Sequence, residues 1–216
     1  MIDVVPQLTA DTLAEGVAEL SRRDPHLAAV VARHGAPPLW DRPPGFETLV
    51  QIILEQQVSL ASGRAAFSRL ERVAGGAVTP RRVARLSEVR LRSAGLTRQK
   101  AAYIRALAVA VVRREFSVRA LASLEDERAH AELTKLRGIG PWSADIYLLM
   151  ALRRRDVWPR HDLALAAAMR EVKRLRSLPS PERQLAIAEA WRPWRAVAAR
   201  VLWHHYLSTP RRRMRA

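Results

Sequence analysis

Two residue patterns in the second half of the chain could carry chemistry. The segment LRGIGPW places Gly138 and Gly140 directly before Pro141, which can open a helix. Glycine permits a positive φ, and the N–H groups at the start of a helix can bind a phosphate oxygen. About twenty residues further on, Asp162 is a carboxylate in a segment rich in arginine. Together the two patterns indicate chemistry on a phosphate-bearing polymer.

Asp162 has two interpretations at the level of residue types. Aspartate is a preferred N-cap, and an apolar, helix-forming run follows it. A fixed carboxylate can also stabilise a developing positive charge or orient a water molecule. From the residue types alone, the helix cap is the favoured interpretation.

The charge of the chain favours a polyanionic partner. The 216 residues include 37 Lys and Arg against 21 Asp and Glu, which gives a formal net charge of +16 at pH 7. Neutralising phosphates releases condensed counterions, so this excess favours binding to nucleic acid. The alternative is a solvated, arginine-rich surface without a polyanionic partner.

Several classes of protein are disfavoured. The chain has no cysteine, which excludes disulfides, thiolate zinc sites and cysteine-ligated iron–sulfur clusters. No stretch is long and apolar enough to span a membrane, and MIDVVPQLTADTL lacks the pattern of a secretion signal. We therefore expect a cytoplasmic protein with no membrane partner.

Helical spacing and capping residues run along the chain, and they predict an all-α protein. Residues 36–45, APPLWDRPPG, contain too many prolines for regular structure, and PRRRMRA predicts a disordered basic tail at residues 209–216. In the long helix we expect Val112 on the apolar face and Lys100 in solvent. The predicted helices are Asp11–Arg23, Pro25 to Gly35, Phe46–Leu60, Ser62–Ala74, short ones after Thr79 and after Ser87, Thr97–Glu115, Glu125–Leu136, one opened by Pro141, His161–Leu175 and Pro181–His205.

Four blocks resemble a known family. LRGIGPWSADIYLLMAL resembles the helix–hairpin–helix of the HhH-GPD DNA glycosylases, and DVWPRHDLAL is similar to their catalytic segment, which carries an aspartate. FETLVQIILEQQVSLASG and AEAWRPWRAVAARVLWHHY are similar to the 3-methyladenine DNA glycosylase II (AlkA) branch. The resemblance implies an all-α helix–hairpin–helix glycosylase fold with two helical lobes and an active-site cleft between them. It implies a core over residues 1–208, with the hairpin at about 134–145 and without the N-terminal sheet domain of larger members.

The same resemblance implies a reaction. It implies a monomer that flips 3-methyladenine or 7-methylguanine out of damaged double-stranded DNA and releases the base hydrolytically, with Asp162 as the catalytic residue. Trp142 stands where bifunctional members carry a nucleophilic lysine, so the enzyme is implied to be monofunctional. The alternatives are a glycosylase for hypoxanthine, 1-methyladenine or an oxidised base, and a non-catalytic DNA-binding protein with the same hairpin.

The resemblance also implies roles for individual residues. Gln57 would fill the space that a flipped base leaves. Independently of the resemblance, we assign Trp191 and Trp194 to packing by default. Packing is also the alternative for the two pocket tryptophans. No cofactor and no iron–sulfur cluster is expected, although hairpins of this kind can hold Na⁺ or K⁺ through main-chain carbonyls. The implied sets are Trp142, Trp203, Ile146, His204 and His161 for the base pocket, Gln57, Gly138, Ile139, Gly140 and Trp142 for DNA, and the carbonyls of Thr134, Leu136 and Ile139 for the cation.

Overall fold

The structure, a computed structural model, describes residues 7–209. This part of the chain forms twelve α-helices and no β-strand, with one isolated bridge between Gln7 and Arg154. The all-α prediction is confirmed, and no helix among residues 7–209 is long and apolar enough to cross a membrane. The helices are α1 (Ala10–Arg23), α2 (Pro25–His34), α3 (Phe46–Glu55), α4 (Leu60–Ala74), α5 (Pro80–Ala84), α6 (Glu88–Ser93), α7 (Arg98–Val112), α8 (Asp126–Thr134), α9 (Pro141–Ile146), α10 (Leu163–Val172), α11 (Pro181–Ala188) and α12 (Arg195–Ser208), with a π-helical turn at Tyr147–Ala151 and 3₁₀ turns at Arg119–Ser123 and Glu189–Trp191.

The chain divides into two compact units. The central unit is Arg42–Leu152 and contains α3 to α9. The terminal unit is formed by the described parts of Pro6–Asp41 and Arg153–Ala216, and it contains α1, α2 and α10 to α12. The predicted basic tail lies, from residue 210 onward, outside the described residues.

Helix α3 is the most buried helix of the central unit, where it packs against α4, α7 and α9. It ends at Glu55, so the predicted helix Phe46–Leu60 is too long. Gln57 adopts a left-handed φ of 57°, and the Ser59 side chain accepts the N–H of Ser62, which starts α4 at Leu60. A serine cap therefore competes successfully with continuation of the helix. The buried residues of α3 are Phe46, Thr48, Leu49, Val50, Ile52, Ile53 and Leu54.

Helix α7 differs from its prediction at two residues. It ends at Val112, and the side chain of this last helical residue is exposed, whereas Ile104 and Leu107 earlier in the helix are buried. Lys100 was expected in solvent, yet it is half-buried and its ammonium group bonds to two main-chain carbonyls. The prediction for each of these side chains was therefore wrong.

In the terminal unit, α12 is buried on nearly all sides. The predicted continuous helix Pro181–His205 is instead split, because Pro193 has no N–H to donate within a helix. Packing is confirmed for Trp191, whose indole N–H donates to Asp24, and for Trp194, which packs against Gly16. These contacts hold α1 and α2 beside the start of α12 within this unit.

Candidate active site and nucleic-acid interface

Asp162 is a nearly buried carboxylate at the start of α10. Its side chain is 9% exposed, and Oδ1 accepts the N–H of Leu165 at 2.8 Å and the indole N–H of Trp203 at 3.3 Å. The first bond is the N-cap that the residue type predicts. This cap is compatible with the predicted catalytic role, because two donors on one oxygen fix the orientation of the carboxylate group. His161, the preceding residue, has a left-handed φ of 63° and an exposed side chain.

Two other predicted pocket residues lie in the same unit, on α12. Trp203 is 8% exposed and points its N–H at Asp162, so the structure brings the predicted catalytic carboxylate and one predicted indole into contact. His204 is half-buried, and its ring centroid lies 6.1 Å from that of His34 and 6.2 Å from that of Trp40. His204 thus belongs to an aromatic cluster of the terminal unit.

The remaining predicted pocket residues lie on α9 of the central unit. Trp142 is half-buried, and Ile146 is only 4% exposed. The neighbouring Tyr147 is fully buried, and its hydroxyl accepts the N–H of Gly45 at 3.0 Å. Burial raises the pKa of Tyr147 to about 12, so this phenol stays neutral and serves the core. A base pocket that includes Trp142 and Ile146 stays a prediction.

The predicted hairpin is a tight turn between α8 and α9, and its glycines are not equivalent. Gly138 has a φ of 91°, and a Cβ added there would overlap the ring of Tyr103 on α7. Gly140 has an ordinary extended backbone with φ of −87°, and a Cβ there would meet nothing within 4 Å. Of the two glycines, only Gly138 uses the positive φ that this residue type permits. Ile139, between them, is 3% exposed and anchors the turn in the core.

Gln57, which is predicted to fill the space of a flipped base, and the hairpin line one cavity of about 530 Å³ in the central unit. Gln57 is exposed at one side, and Gly138 and Gly140 lie among the other lining residues. The side chains of Val58 and Leu60, which follow Gln57, are also exposed and extend the turn as an apolar surface. The structure therefore groups four of the five residues that the resemblance implies for DNA contact, namely Gln57, Gly138, Ile139 and Gly140, whereas Trp142 is not among the residues that line this cavity.

The predicted cation site stays a prediction. The Leu136 carbonyl accepts the N–H of Ile139 at 3.0 Å, which closes the hairpin turn. The Thr134 hydroxyl donates to the carbonyls of His130 and Ala131 within α8. Among residues 7–209 no group of three or more histidine, aspartate or glutamate side chains could hold a metal ion.

Sequence reasoning missed three residues that support the hairpin and the Gln57 turn. Gln56 donates from Nε2 to the Gly138 carbonyl at 2.8 Å, Lys100 donates to carbonyls at the end of α3, and Tyr103 lies under Gly138. Lys100 and Tyr103 are three residues apart and therefore lie on one face of α7. This spacing was the one feature of the sequence that could have linked them. Nothing in the sequence identified the partners of that face.

The geometry can be compared with known proteins. A profile of the HhH-GPD superfamily of base excision DNA repair proteins matches residues 50–195, a range that holds the hairpin and Asp162. The chain belongs to this superfamily. The predicted resemblance is thereby confirmed.

Relatives and solved structures of this superfamily extend over most of the chain. A DNA-3-methyladenine glycosylase of Bacillus subtilis is 26% identical to this chain over 196 residues. The matched segment covers 86% of this chain and 65% of that relative's length. The crystal structure of a DNA-3-methyladenine glycosidase from Bacillus halodurans superimposes with a TM-score of 0.75 at 27% identity, covering 91% of this chain and 89% of that one. A 3-methyladenine DNA glycosylase of Schizosaccharomyces pombe in complex with abasic DNA superimposes with a TM-score of 0.78 at 25% identity, covering 88% and 95%.

Proposed function

We propose that the chain is a monofunctional DNA glycosylase that flips alkylated purines, such as 3-methyladenine and 7-methylguanine, out of double-stranded DNA and releases them by hydrolysis. The observation that carries the proposal is the contact between the Asp162 carboxylate and the Trp203 indole in a chain of this superfamily. Two of the compared proteins bear the name 3-methyladenine glycosylase, and one of them is bound to abasic DNA. We further propose that it acts as a monomer on chromosomal DNA in the cytoplasm.

Binding to DNA would begin with the phosphate backbone. The net charge of +16 attracts the polymer, and the main-chain N–H groups of the hairpin and of the first turn of α9 would contact phosphate oxygens. Such contacts position the enzyme without reading sequence. Gln57, exposed on its turn, would enter the duplex and hydrogen-bond the base opposite the flipped nucleotide.

The proposed reaction is hydrolysis of the N-glycosidic bond. The bond between C1′ and the base nitrogen breaks with its electron pair going to the base, and the sugar gains oxocarbenium character. A carboxylate held by two donors, as Asp162 is, stabilises that charge and orients the water that adds to C1′. The water passes one proton to the Asp162 carboxylate, which releases it to solvent, and an abasic sugar and the free, neutral base remain.

Selectivity for alkylated purines would rest on the charge of the lesion. A purine methylated at N3 or N7 is cationic and leaves as a neutral base, so no strong general acid is required. An indole face favours a cation over a neutral ring by about 0.5–2 kcal/mol. This difference is modest, so the weakened bond of the lesion itself contributes much of the discrimination.

Base release from methylated duplex DNA tests the proposal. Asp162→Asn keeps an oxygen that can cap α10 but removes the charge, so we expect about a 100- to 1,000-fold slower release of 7-methylguanine in single turnovers. Binding to duplex with an abasic-site analogue should stay within about threefold, because DNA contacts elsewhere are unchanged. Near-normal release by the variant would remove Asp162 from the mechanism. A wild type that binds DNA but releases no base from any lesion would favour a DNA-binding protein without activity.

A second test addresses the monofunctional assignment. Trp142 has no amine, so the protein should form no Schiff base with the abasic product and should not cut the strand. Borohydride treatment during turnover should trap no covalent protein–DNA adduct. An adduct that disappears when one lysine is replaced would show lyase activity from another residue.

A further inference from the structure

Lys100 occupies an unusual place for a lysine on a helical surface. Its Nζ donates to the main-chain carbonyls of Leu54 and Gln56, each at 2.8 Å. These carbonyls lie at the end of α3, where no further turn of helix supplies N–H donors. A cation at this end also interacts favourably with the helix dipole. Lys100 therefore closes the C-terminus of α3 immediately before the Gln57 turn.

The other side of the same turn is fixed by Gln56. Its Nε2 donates to the Gly138 carbonyl at 2.8 Å and to the Ser143 hydroxyl at 2.9 Å. One acceptor is in the hairpin and the other is in the first turn of α9. The residue before Gln57 is thus bonded through its carbonyl to α7 and through its side chain to the hairpin.

Helix α7 supports both elements from one face. Lys100 bonds to the end of α3, and Tyr103, three residues later, lies under Gly138. The Tyr103 hydroxyl accepts a hydrogen bond from Gln99 at 2.6 Å, and the Arg137 guanidinium lies 5.9 Å from the centre of its ring. The cavity of about 530 Å³ that Gln57 and the hairpin share is lined by these α7 residues as well.

Gln57 needs such support because of its backbone. A residue other than glycine at a φ of 57° costs of order 1 kcal/mol and persists only where its neighbours determine the conformation. The side chain of Gln57 is itself exposed, so the hydrogen bonds of Gln56 and Lys100 on its N-terminal side hold the turn.

We propose that Lys100 and Gln56 are positioning residues that hold Gln57 at a fixed place relative to the hairpin. This inference rests on the proposed function, because it matters only if the hairpin grips the backbone while Gln57 enters the duplex. With both residues in place, a phosphate grip by the hairpin sets the position at which Gln57 meets the base stack. Without them, DNA still binds, but insertion of Gln57 is no longer coupled to that grip.

The test compares Lys100→Met, which keeps the length of the side chain, with Lys100→Arg and with Arg105→Met. Arg105 is exposed on the same helix, so its variant removes one positive charge without touching the turn. The probe is a duplex with an abasic-site analogue and a neighbouring 2-aminopurine, whose fluorescence reports unstacking and needs no base release. Lys100→Met should bind this duplex within about threefold of Arg105→Met, yet show about a tenfold smaller unstacking equilibrium, as expected for loss of charged hydrogen bonds. Lys100→Arg should restore most of the unstacking.

A second readout separates positioning from folding and from DNA contact. Release of 7-methylguanine should fall about tenfold for Lys100→Met in a paired duplex, but less than twofold where the lesion lies in an unpaired bulge. Gln56→Met should show the same pattern with α7 and its lysine intact. The proposal would be overturned if Lys100→Met lost the same factor in release rate on the paired and the bulged duplex. It would also be overturned if Lys100→Met unstacked 2-aminopurine as well as Arg105→Met does. The slope of the logarithm of DNA affinity against the logarithm of salt gives a further check. If this slope is about 0.9 shallower for Lys100→Met than for Arg105→Met, Lys100 contacts a phosphate instead.

Failure of the proposed function gives a different result. A wild type that unstacks 2-aminopurine but releases no base would contradict the glycosylase assignment and leave the positioning role supported. Lys100→Met that does not fold would be visible in its circular dichroism, and Gln56→Met would then carry the test.

Discussion

At the scale of single residues, Asp162 combines an observed helix cap with the catalytic role that we propose for it. Its Oδ1 caps α10 through the Leu165 N–H, and the same atom accepts the Trp203 indole. Residue types favoured the cap, and the resemblance favoured catalysis. The two interpretations are compatible, because a carboxylate that caps a helix is already held in one orientation and needs no reorganisation when charge develops nearby.

The indole of Trp203 can be tested apart from its bulk. Trp203→Phe keeps an apolar ring in α12 but removes the N–H that donates to Asp162, so we expect release of 7-methylguanine to slow by about tenfold. Release of hypoxanthine should slow less, since a phenyl face is a weaker partner for a cation than an indole face. Single-turnover rates on the two duplexes measure this ratio.

The control for this prediction is thermal unfolding. Trp203→Phe should unfold within a few degrees of the wild type, whereas Trp203→Ala creates a cavity that costs about 3–5 kcal/mol. Unchanged rates on both substrates in a folded Trp203→Phe protein would reduce Trp203 to a packing residue.

At the scale of elements, capping residues predicted most helix starts correctly. Thr79 and Ser87 cap α5 and α6 through their side chains, as expected from local chemistry, and Thr9 caps α1 one residue before the predicted start. The errors arose where local signals compete. Ser59 ends the run that begins at Phe46, and Pro193 breaks the run that begins at Pro181.

The candidate site was predictable only in part for a related reason. Asp162, Gln57 and Gly138 stand in motifs, so their positions could be read along the chain. Lys100 and Gln56 act through carbonyls and hydroxyls distant in sequence, such as Leu54 and Gly138. Main-chain carbonyls occur at every residue, so no spacing in the sequence identifies these contacts.

The hairpin offers a matched pair of glycines as a prediction at this scale. Gly138→Ala places a Cβ against Tyr103 at a φ of 91°, so we expect a loss of about 1–3 kcal/mol of stability and weaker DNA binding. Gly140→Ala has ordinary backbone angles and open space, so its stability should change by less than about 0.5 kcal/mol. Urea unfolding and affinity for an abasic-analogue duplex measure both effects. Equal behaviour of the two variants would mean that the hairpin is not shaped by its contact with Tyr103.

At the scale of the whole molecule, carboxylates are outnumbered by basic side chains, and some carboxylates hold the fold together. Asp24 is 7% exposed, caps α2, and accepts the Lys173 ammonium at 2.5 Å and the Trp191 indole at 2.7 Å on Oδ2. Burial alone raises the pKa of Asp24, but the hydrogen bonds from Lys173 and Trp191 and the lysine charge outweigh it, so the pKa lies below its ordinary value of 3.8.

This lowered pKa predicts a pH dependence of stability. A carboxylate with a depressed pKa in the folded state stabilises the fold fully above its unfolded value, and that contribution is lost as the pH falls through the folded pKa. Asp24→Asn should therefore cost about 2–4 kcal/mol at pH 7, and the difference from the wild type should shrink below about pH 4. Urea unfolding across this range measures it, with the exposed Asp11→Asn as the control. A difference that stays constant down to pH 2 would contradict the linkage.

The net charge of +16 makes a last prediction about the molecule as a whole. If the arginines bind phosphates, the logarithm of affinity for an abasic-analogue duplex should fall linearly with the logarithm of salt, by about 0.9 for each phosphate neutralised. Asp162→Asn protein allows the measurement without turnover. Arg137, exposed beside the hairpin, should account for one such contact, so Arg137→Ala should reduce the slope by about 0.9. Arg81→Ala, which removes an exposed charge from α5, should leave the slope unchanged.

Two results would contradict this prediction. Equal slopes for Arg137→Ala and the wild type would place the phosphate contacts away from Arg137. A wild-type affinity that does not change with salt would mean that the positive charge is a solvated surface without a polyanionic partner.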